Sequence, residues 1–143
     1  MAGSDFLLGF DVGSSSVKVS LLDAENGKAV ASANSPTVEM EIASPKSGWA
    51  EQHPETWWEH AAIACKKVMA AASVSPERVR AIGISYQMHG LVVVDKSLNV
   101  LRPAIIWCDS RAVGIGQEAA TQLDEQYCHE NLLNSPGNFT ASK

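Results

Sequence analysis

Asp11, Gly13, the consecutive serines Ser14, Ser15 and Ser16, and Lys18 lie together in the short stretch DVGSSSVK. These residue types suit an anion accompanied by a hard cation. A hard carboxylate oxygen such as that of Asp11 suits Mg2+ or a water bound to it. Gly13 lets the backbone come close to a ligand, the N–H groups of a tight turn converge on phosphate oxygens, and the hydroxyls add donors. The alternative is a plain hairpin whose turn is rich in serine. The stretch is not a Walker loop, because it has no GKS or GKT. It also leads into a strand rather than a helix, which removes the dinucleotide fingerprint.

The elements that must position these residues follow from periodicity. Phe6, Leu7, Leu8 and Phe10 fit one buried strand, and Val17, Val19, Leu21 and Leu22 fit a second, so the turn joins a β-hairpin. Gly27 ends the next turn, before a third strand over roughly 29–38. Residues 39–53 carry Pro45 and Gly48 and read as a surface loop, with Trp49 folding back to pack. Pro54 and Glu55 open a helix that runs to about Ser73. Its stripe of Trp58, Ala61, Ala62, Cys65, Val68, Met69 and Ala72 faces a sheet, with Trp57 and Trp58 read as core and rim residues.

Val79 to Ser85, VRAIGIS, reads as a strand in the buried middle of that sheet. A helix between strands implies parallel pairing through a right-handed crossover. Leu91 to Val94 and Ala104 to Trp107 read as further strands. A second helix is expected over Val113 to Cys128, with Ile115, Ala119, Leu123 and Tyr127 on one face. The last segment holds a Pro-Gly turn and no closing element.

At 143 residues, 45% hydrophobic and 19% charged, the chain has the composition of one globular domain. A formal charge of −5 offers no basic field to a nucleic-acid backbone, so an anion must be held by local donors. No nucleic-acid partner is expected. The N-terminal MAGSD lacks a cationic patch, and the apolar run after it contains Asp11. Neither a signal peptide nor a membrane contact is expected, and a cytoplasmic location is the default. Cys65, Cys108 and Cys128 form no CxxC pair and fit reduced, packed thiols.

Three antiparallel strands, a helix, a central strand and a further helix give an α/β order, that of the ribonuclease H-like fold shared by actin-like ATPases. A nuclease of this fold needs a second acid on its central strand. Here that strand ends Ile84-Ser85-Tyr86-Gln87, so the two-metal site is lost.

DVGSSSVK, GWAEQHPETWW (48–58), GISYQMHG (83–90), LRPAIIWCDSR (101–111) and PGNFTASK (136–143) occur in that order along the chain. Together they resemble the N-terminal motifs of the FGGY carbohydrate kinases, most closely the xylulokinase members. The resemblance implies an incomplete N-terminal domain of the ribonuclease H-like, actin-like ATPase fold over 1–143: a mixed sheet flanked by helices and truncated at its C-terminal end. It also implies a second actin-like domain absent from this chain.

For activity, the resemblance implies ATP-dependent phosphorylation of a sugar hydroxyl. Asp11 would lie near Mg2+, and Gly13, Ser14, Ser15, Ser16 and Lys18 near the transferred phosphoryl group. The family usually carries threonine where this chain has Ser14, which keeps the hydroxyl. The sugar, a ketopentose, would be held by Gln87, Met88, His89 and Gly90 with Trp107, Asp109 and Arg111. These supply paired donors and acceptors beside an apolar wall.

Each of these has a plainer alternative. His89 reads equally as a loop residue bonded to backbone, Trp107 as core, and Asp109 with Arg111 as a surface ion pair. The catalytic base and most of the adenosine pocket are implied in the later domain, so the isolated chain is expected to be inactive. Other open readings are a kinase for ribulose, a hexulose, gluconate or glycerol, and a non-catalytic actin-like sugar-binding module. A homodimer is kept open, through an edge that later strands and helices would otherwise cover.

Overall fold

The computed structural model describes residues 5–132 and 135–143. In chain order come β1 (Phe6–Val12), β2 (Val17–Asp23), β3 (Ala29–Ser35), the two-residue β4 (Glu51–Gln52), α1 (Pro54–Ala72), β5 (Val79–Tyr86), the two-residue β6 (Ala104–Ile105) and α2 (Val113–Leu123). The chain divides into two compact units. One comprises the residues up to Glu41 with Glu55–Gln87, and the other Ile42–Pro54 with Met88–Lys143.

The first unit is a mixed sheet in the order β3-β2-β1-β5. β1 and β2 form the expected hairpin, antiparallel with Phe10 opposite Val19 and Asp11 opposite Lys18. The strict alternation of side chains in a strand sends Phe6 and Leu8 from β1, and Val17, Val19 and Leu21 from β2, into one core. Ala61, Ala64 and Val68 of α1 meet them there. Two alanines let the helix approach the sheet closely. Each fully buried Val17, Val19, Leu21 or Val68 contributes about 1.5–3 kcal/mol. Ser35 is also buried, and its hydroxyl pairs with Nδ1 of His60 on α1 at 2.9 Å.

Three expectations for this unit change. β3 stops at Ser35 rather than running to Val38, because Pro36 follows and has no N–H to continue the ladder. Trp58 is 74% exposed and off the stripe, while Trp57 packs against the core. Trp57 shares a helical stripe with Ala61, Ala64 and Val68 at spacings of four, three and four, and Trp58, about 100° further round, falls outside it. β5 pairs in parallel with β1, as expected, yet it is an outer strand of this sheet and not its buried middle. Ile82, Ile84 and Tyr86 are each at least 60% exposed.

The second unit is mostly loops cross-tied by short ladders. β4 pairs antiparallel with β6, Glu51 opposite Ile105, and isolated bridges join Ala43 to Glu51 and Leu91 to Ile105. The strands expected at 91–94 and 104–107 therefore shrink to bridges and a two-residue β6. Asp95 accounts for part of this. Its carboxylate takes the N–H groups of Ser97 and Asn99 at 2.8 and 2.9 Å, which curls the chain into a side-chain-capped turn.

The second expected helix breaks at Asp124, where φ is +60°. Asp124 then caps the short turn Glu125–Tyr127 by accepting from the Tyr127 N–H at 2.8 Å. The proposed apolar face also fails, since Ile115, Leu123 and Tyr127 are exposed. Gly116 is the buried residue of α2 instead. The core of this unit is Ala50, Ala104, Ile105, Ile106, Ala112 and Cys128. All the cysteines are free, and Cys108 is exposed rather than packed.

Candidate active site

The turn between β1 and β2 is held from within and from behind. The Gly13 N–H donates to the Ser16 carbonyl at 3.1 Å, and the Met40 N–H donates to the Ser15 carbonyl at 2.8 Å. A Cβ on Gly13 would sit 3.1 Å from that Ser16 oxygen, so glycine is what lets the turn close this tightly. Because the Gly13 N–H is used inside the turn, backbone donation to an anion falls to the residues after it. Asp11, Ser15 and Lys18 are exposed. Asp11 stands opposite Lys18 on β2 and Ser85 on β5, so residues of opposite charge share one face beside the turn.

Gln87 sits beside this turn, its main-chain N–H donating to the Val12 carbonyl at 2.9 Å. Its side-chain Oε1 and Nε2 are buried, and neither has a hydrogen-bond partner among the described residues. Such an amide costs about 1–3 kcal/mol when left unpaired. The first unit thus brings together Asp11, Gly13, Ser14, Ser15, Ser16, Lys18 and Gln87. Among the described residues no three His, Cys, Asp or Glu side chains gather to hold a metal. Asp11 offers one exposed carboxylate, a donor of the kind Mg2+ takes alongside water and phosphate oxygens. The exposed acid next to a glycine-closed, hydroxyl-lined turn fits such a cation and its phosphates.

The second unit holds Met88, His89, Gly90, Trp107, Asp109 and Arg111. His89 adopts the left-handed backbone region at φ +63°, and Met88 and Trp107 are more than half exposed. Asp109 and Arg111 do form an ion pair, but a buried one rather than a surface one: their side chains are 0% and 12% exposed. One Asp109 oxygen accepts from the N–H and Nε of Arg111 at 2.8 and 2.9 Å. The other accepts from the Ala50 N–H at 2.6 Å and from the Arg111 terminal nitrogen at 2.7 Å. Burial alone raises the carboxyl's pKa, but these bonds outweigh it and hold Asp109 below the usual carboxylate value.

Sequence reasoning assigned no role to Glu51 among the partners of that pair, and read Trp49 only as a packing residue. Glu51 accepts from Arg111 at 2.7 Å and from Arg102 at 2.5 Å. The Arg111 guanidinium also lies 3.7 Å from the centroid of Trp49, and Lys46 approaches the same ring at 4.7 Å. Trp49 and Glu51 belong to the GWAE stretch, so the motif was visible although its partner was not. The Asp109 bonds to Arg111 and to the Ala50 N–H make it an anchor that fixes Arg111 and the chain just before β4.

The family model of the FGGY family of carbohydrate kinases, N-terminal domain, matches residues 6–143. The chain belongs to the FGGY family. Among FGGY relatives, the xylulose kinase of Klebsiella pneumoniae is 40% identical over 136 residues, covering 95% of this chain and 27% of its own length. The xylulose kinase of Escherichia coli (strain K12) is 41% identical over 136 residues, with the same coverage of 95% and 27%. The crystal structure of a xyloylose kinase from Brucella ovis matches with a TM-score of 0.85 and 32% identity, over 96% of this chain and 28% of that one. The chain thus spans about a quarter of the length of these FGGY kinases. Its fold is the N-terminal part of their actin-like ATPase architecture.

Proposed function

We propose that this chain serves the ATP-dependent phosphorylation of D-xylulose to xylulose 5-phosphate. The observation that carries the reading is the orphaned amide of Gln87, fastened by its backbone beside the turn of Asp11 to Ser16. A buried donor and acceptor without partners, next to a hydroxyl-lined turn, matches a polyol presented to a phosphoryl group. The FGGY relatives named as xylulose kinases support the same substrate.

In this reading the turn Gly13 to Ser16 orients the terminal phosphate through seryl hydroxyls and backbone, and Lys18 offsets its charge. Mg2+ at Asp11 would neutralise charge on the phosphate oxygens. The sugar hydroxyl attacks the terminal phosphorus, the bond to the bridging oxygen breaks, ADP leaves, and the hydroxyl proton passes to a base. The family resemblance assigns that base to a glycine-rich motif of a second actin-like domain, and most of the adenosine pocket to the same domain. The role of these 143 residues is then to bind and orient, and alone they are not expected to turn over. Met88, His89, Gly90 and Trp107 form the sugar wall, with Arg111 held in place by Asp109.

Calorimetric titration of the chain with D-xylulose, D-ribulose, gluconate and glycerol tests the reading. Heat with D-xylulose at millimolar concentration, exceeding that with the others, is the expected result. Heat with another member of the panel alone would reassign the substrate. Repeated ADP release by the chain with ATP, Mg2+ and D-xylulose would overturn the assignment of the base elsewhere.

A further inference from the structure

The segment 136–143 is fastened to both loops that carry the candidate sugar residues of the second unit. The Lys143 ammonium donates to the carbonyls of His89 at 3.0 Å and Ile106 at 2.8 Å, with a longer contact to Trp107 at 3.5 Å. The Phe139 ring lies 4.2 Å from the His89 imidazole, tilted by 39°. Thr140 Oγ1 donates to the Gly90 carbonyl at 3.0 Å, and Asn138 donates to the carbonyl of Asp109. The segment is itself seated on α2, where a Cβ on Gly116 would collide with the backbone of Gly137.

We propose that Lys143, helped by Thr140 and Phe139, is a positioning residue for the sugar site. It holds Met88–Gly90 against Ile106–Trp107 without touching the sugar. The inference rests on the reading of those loops as the sugar wall.

The chemistry of the ammonium supports it. An ammonium has three donors and no acceptor, and here all of its carbonyl partners come from the two loops. Taking a charge out of water is costly. Burial lowers the Lys143 pKa, while Asp109 and Cys108 nearby act the other way. A methionine would fill the same volume without that cost, so packing alone gives no reason for lysine. His89 supplies the reason. A non-glycine residue at φ +63° is strained, and its carbonyl is held in place by the lysine.

The test uses the whole chain, with Lys143→Met and Thr140→Val read in two ways. The ring protons of His89 carry a ring-current shift from Phe139, and the other histidines, His53, His60 and His129, serve as internal references. Lys143→Met is expected to move the His89 resonances alone and to weaken D-xylulose binding by about tenfold. Thr140→Val is expected to weaken it by about fivefold. A residue that served only the fold would lower the melting temperature and leave both readouts of the folded protein unchanged.

Unmoved His89 resonances in Lys143→Met overturn the proposal whether or not sugar binds. If that variant fails to fold, unchanged affinity in Thr140→Val overturns it. Absence of D-xylulose heat in the unsubstituted chain overturns the sugar reading instead, and the His89 spectrum then shows separately whether Lys143 holds the loop.

Discussion

Gln87 is fastened to Val12 by a 2.9 Å main-chain hydrogen bond, while both polar atoms of its side chain are buried and unpaired among the described residues. The backbone bond places the residue beside the β1–β2 turn. The empty side-chain positions mean that folding bears a desolvation cost it does not recover. A residue in that state is better for a ligand than for the fold.

Gln87→Leu therefore separates the two. Removing the unpaired amide in favour of an apolar side chain of similar size is expected to leave the chain equally stable, or more stable by about 1 kcal/mol. D-xylulose binding is expected to be lost. Urea denaturation and calorimetry on the same sample check it, and a variant that is both destabilised and still binding would remove Gln87 from the site.

Asp109 gives a prediction in acid. Its folded-state pKa is below the ordinary carboxylate value, which is about 3.9. A depressed carboxylate contributes stability that is complete above the unfolded value and disappears as the pH falls through the folded one. Asp109→Asn should cost about 3 kcal/mol near neutrality, the low end for a broken buried pair, because Glu51 still faces Arg111. Urea midpoints measured from about pH 2 to pH 6 should fall with acid in the parent chain and run flatter in the variant. Parallel curves would show that Asp109 gains nothing from Arg111.

The opening hairpin and α1 were legible because they are local: alternation of period two around a Gly-Ser turn, then alanines at helical spacing behind Pro54. β5 was legible as a strand but not in its surroundings. An apolar run records what a strand tolerates, and Ile82 and Ile84 occupy an outer position in the described sheet. The break of the second helix depended on one left-handed residue, Asp124, which no apolar periodicity reveals. The candidate site was legible as motifs. Its support was not, since Asp109 meets Ala50 across 59 residues of chain and Arg111 meets Glu51 across 60. Pairs so distant leave no periodic mark, and each charge alone reads as surface.

Gly13→Ala tests the turn. The added methyl would stand 3.1 Å from the Ser16 carbonyl oxygen, a backbone atom that moves only with the turn. A cost of about 1–2 kcal/mol is expected. In the parent chain, Mg2+ with inorganic tripolyphosphate should shift the amide resonances of Ser14, Ser15 and Ser16, and in the variant those shifts should shrink. Equal shifts in both would mean that the turn does not need its tight closure to hold a phosphate.

The outer face of β5 bears on self-association. Ile82, Ile84 and Tyr86 stand in register with Leu8, Phe10 and Val12 of β1, yet they are 60%, 63% and 64% exposed. An apolar strand with an open side offers backbone hydrogen bonds and hydrophobic surface together, and a second copy of the same strand can use both. The chain is therefore expected to sediment as a monomer–dimer mixture whose dimer fraction grows with concentration. Ile84→Lys should shift that mixture to monomer, because two lysines brought together at the strand edge repel and must be desolvated. The folded chain loses little by the change, within about 0.5 kcal/mol, since the isoleucine was already in solvent. Loss of dimer with an unchanged urea midpoint is the expected pair of results, and a parent chain that stays monomeric at high concentration would show that β5 does not self-pair.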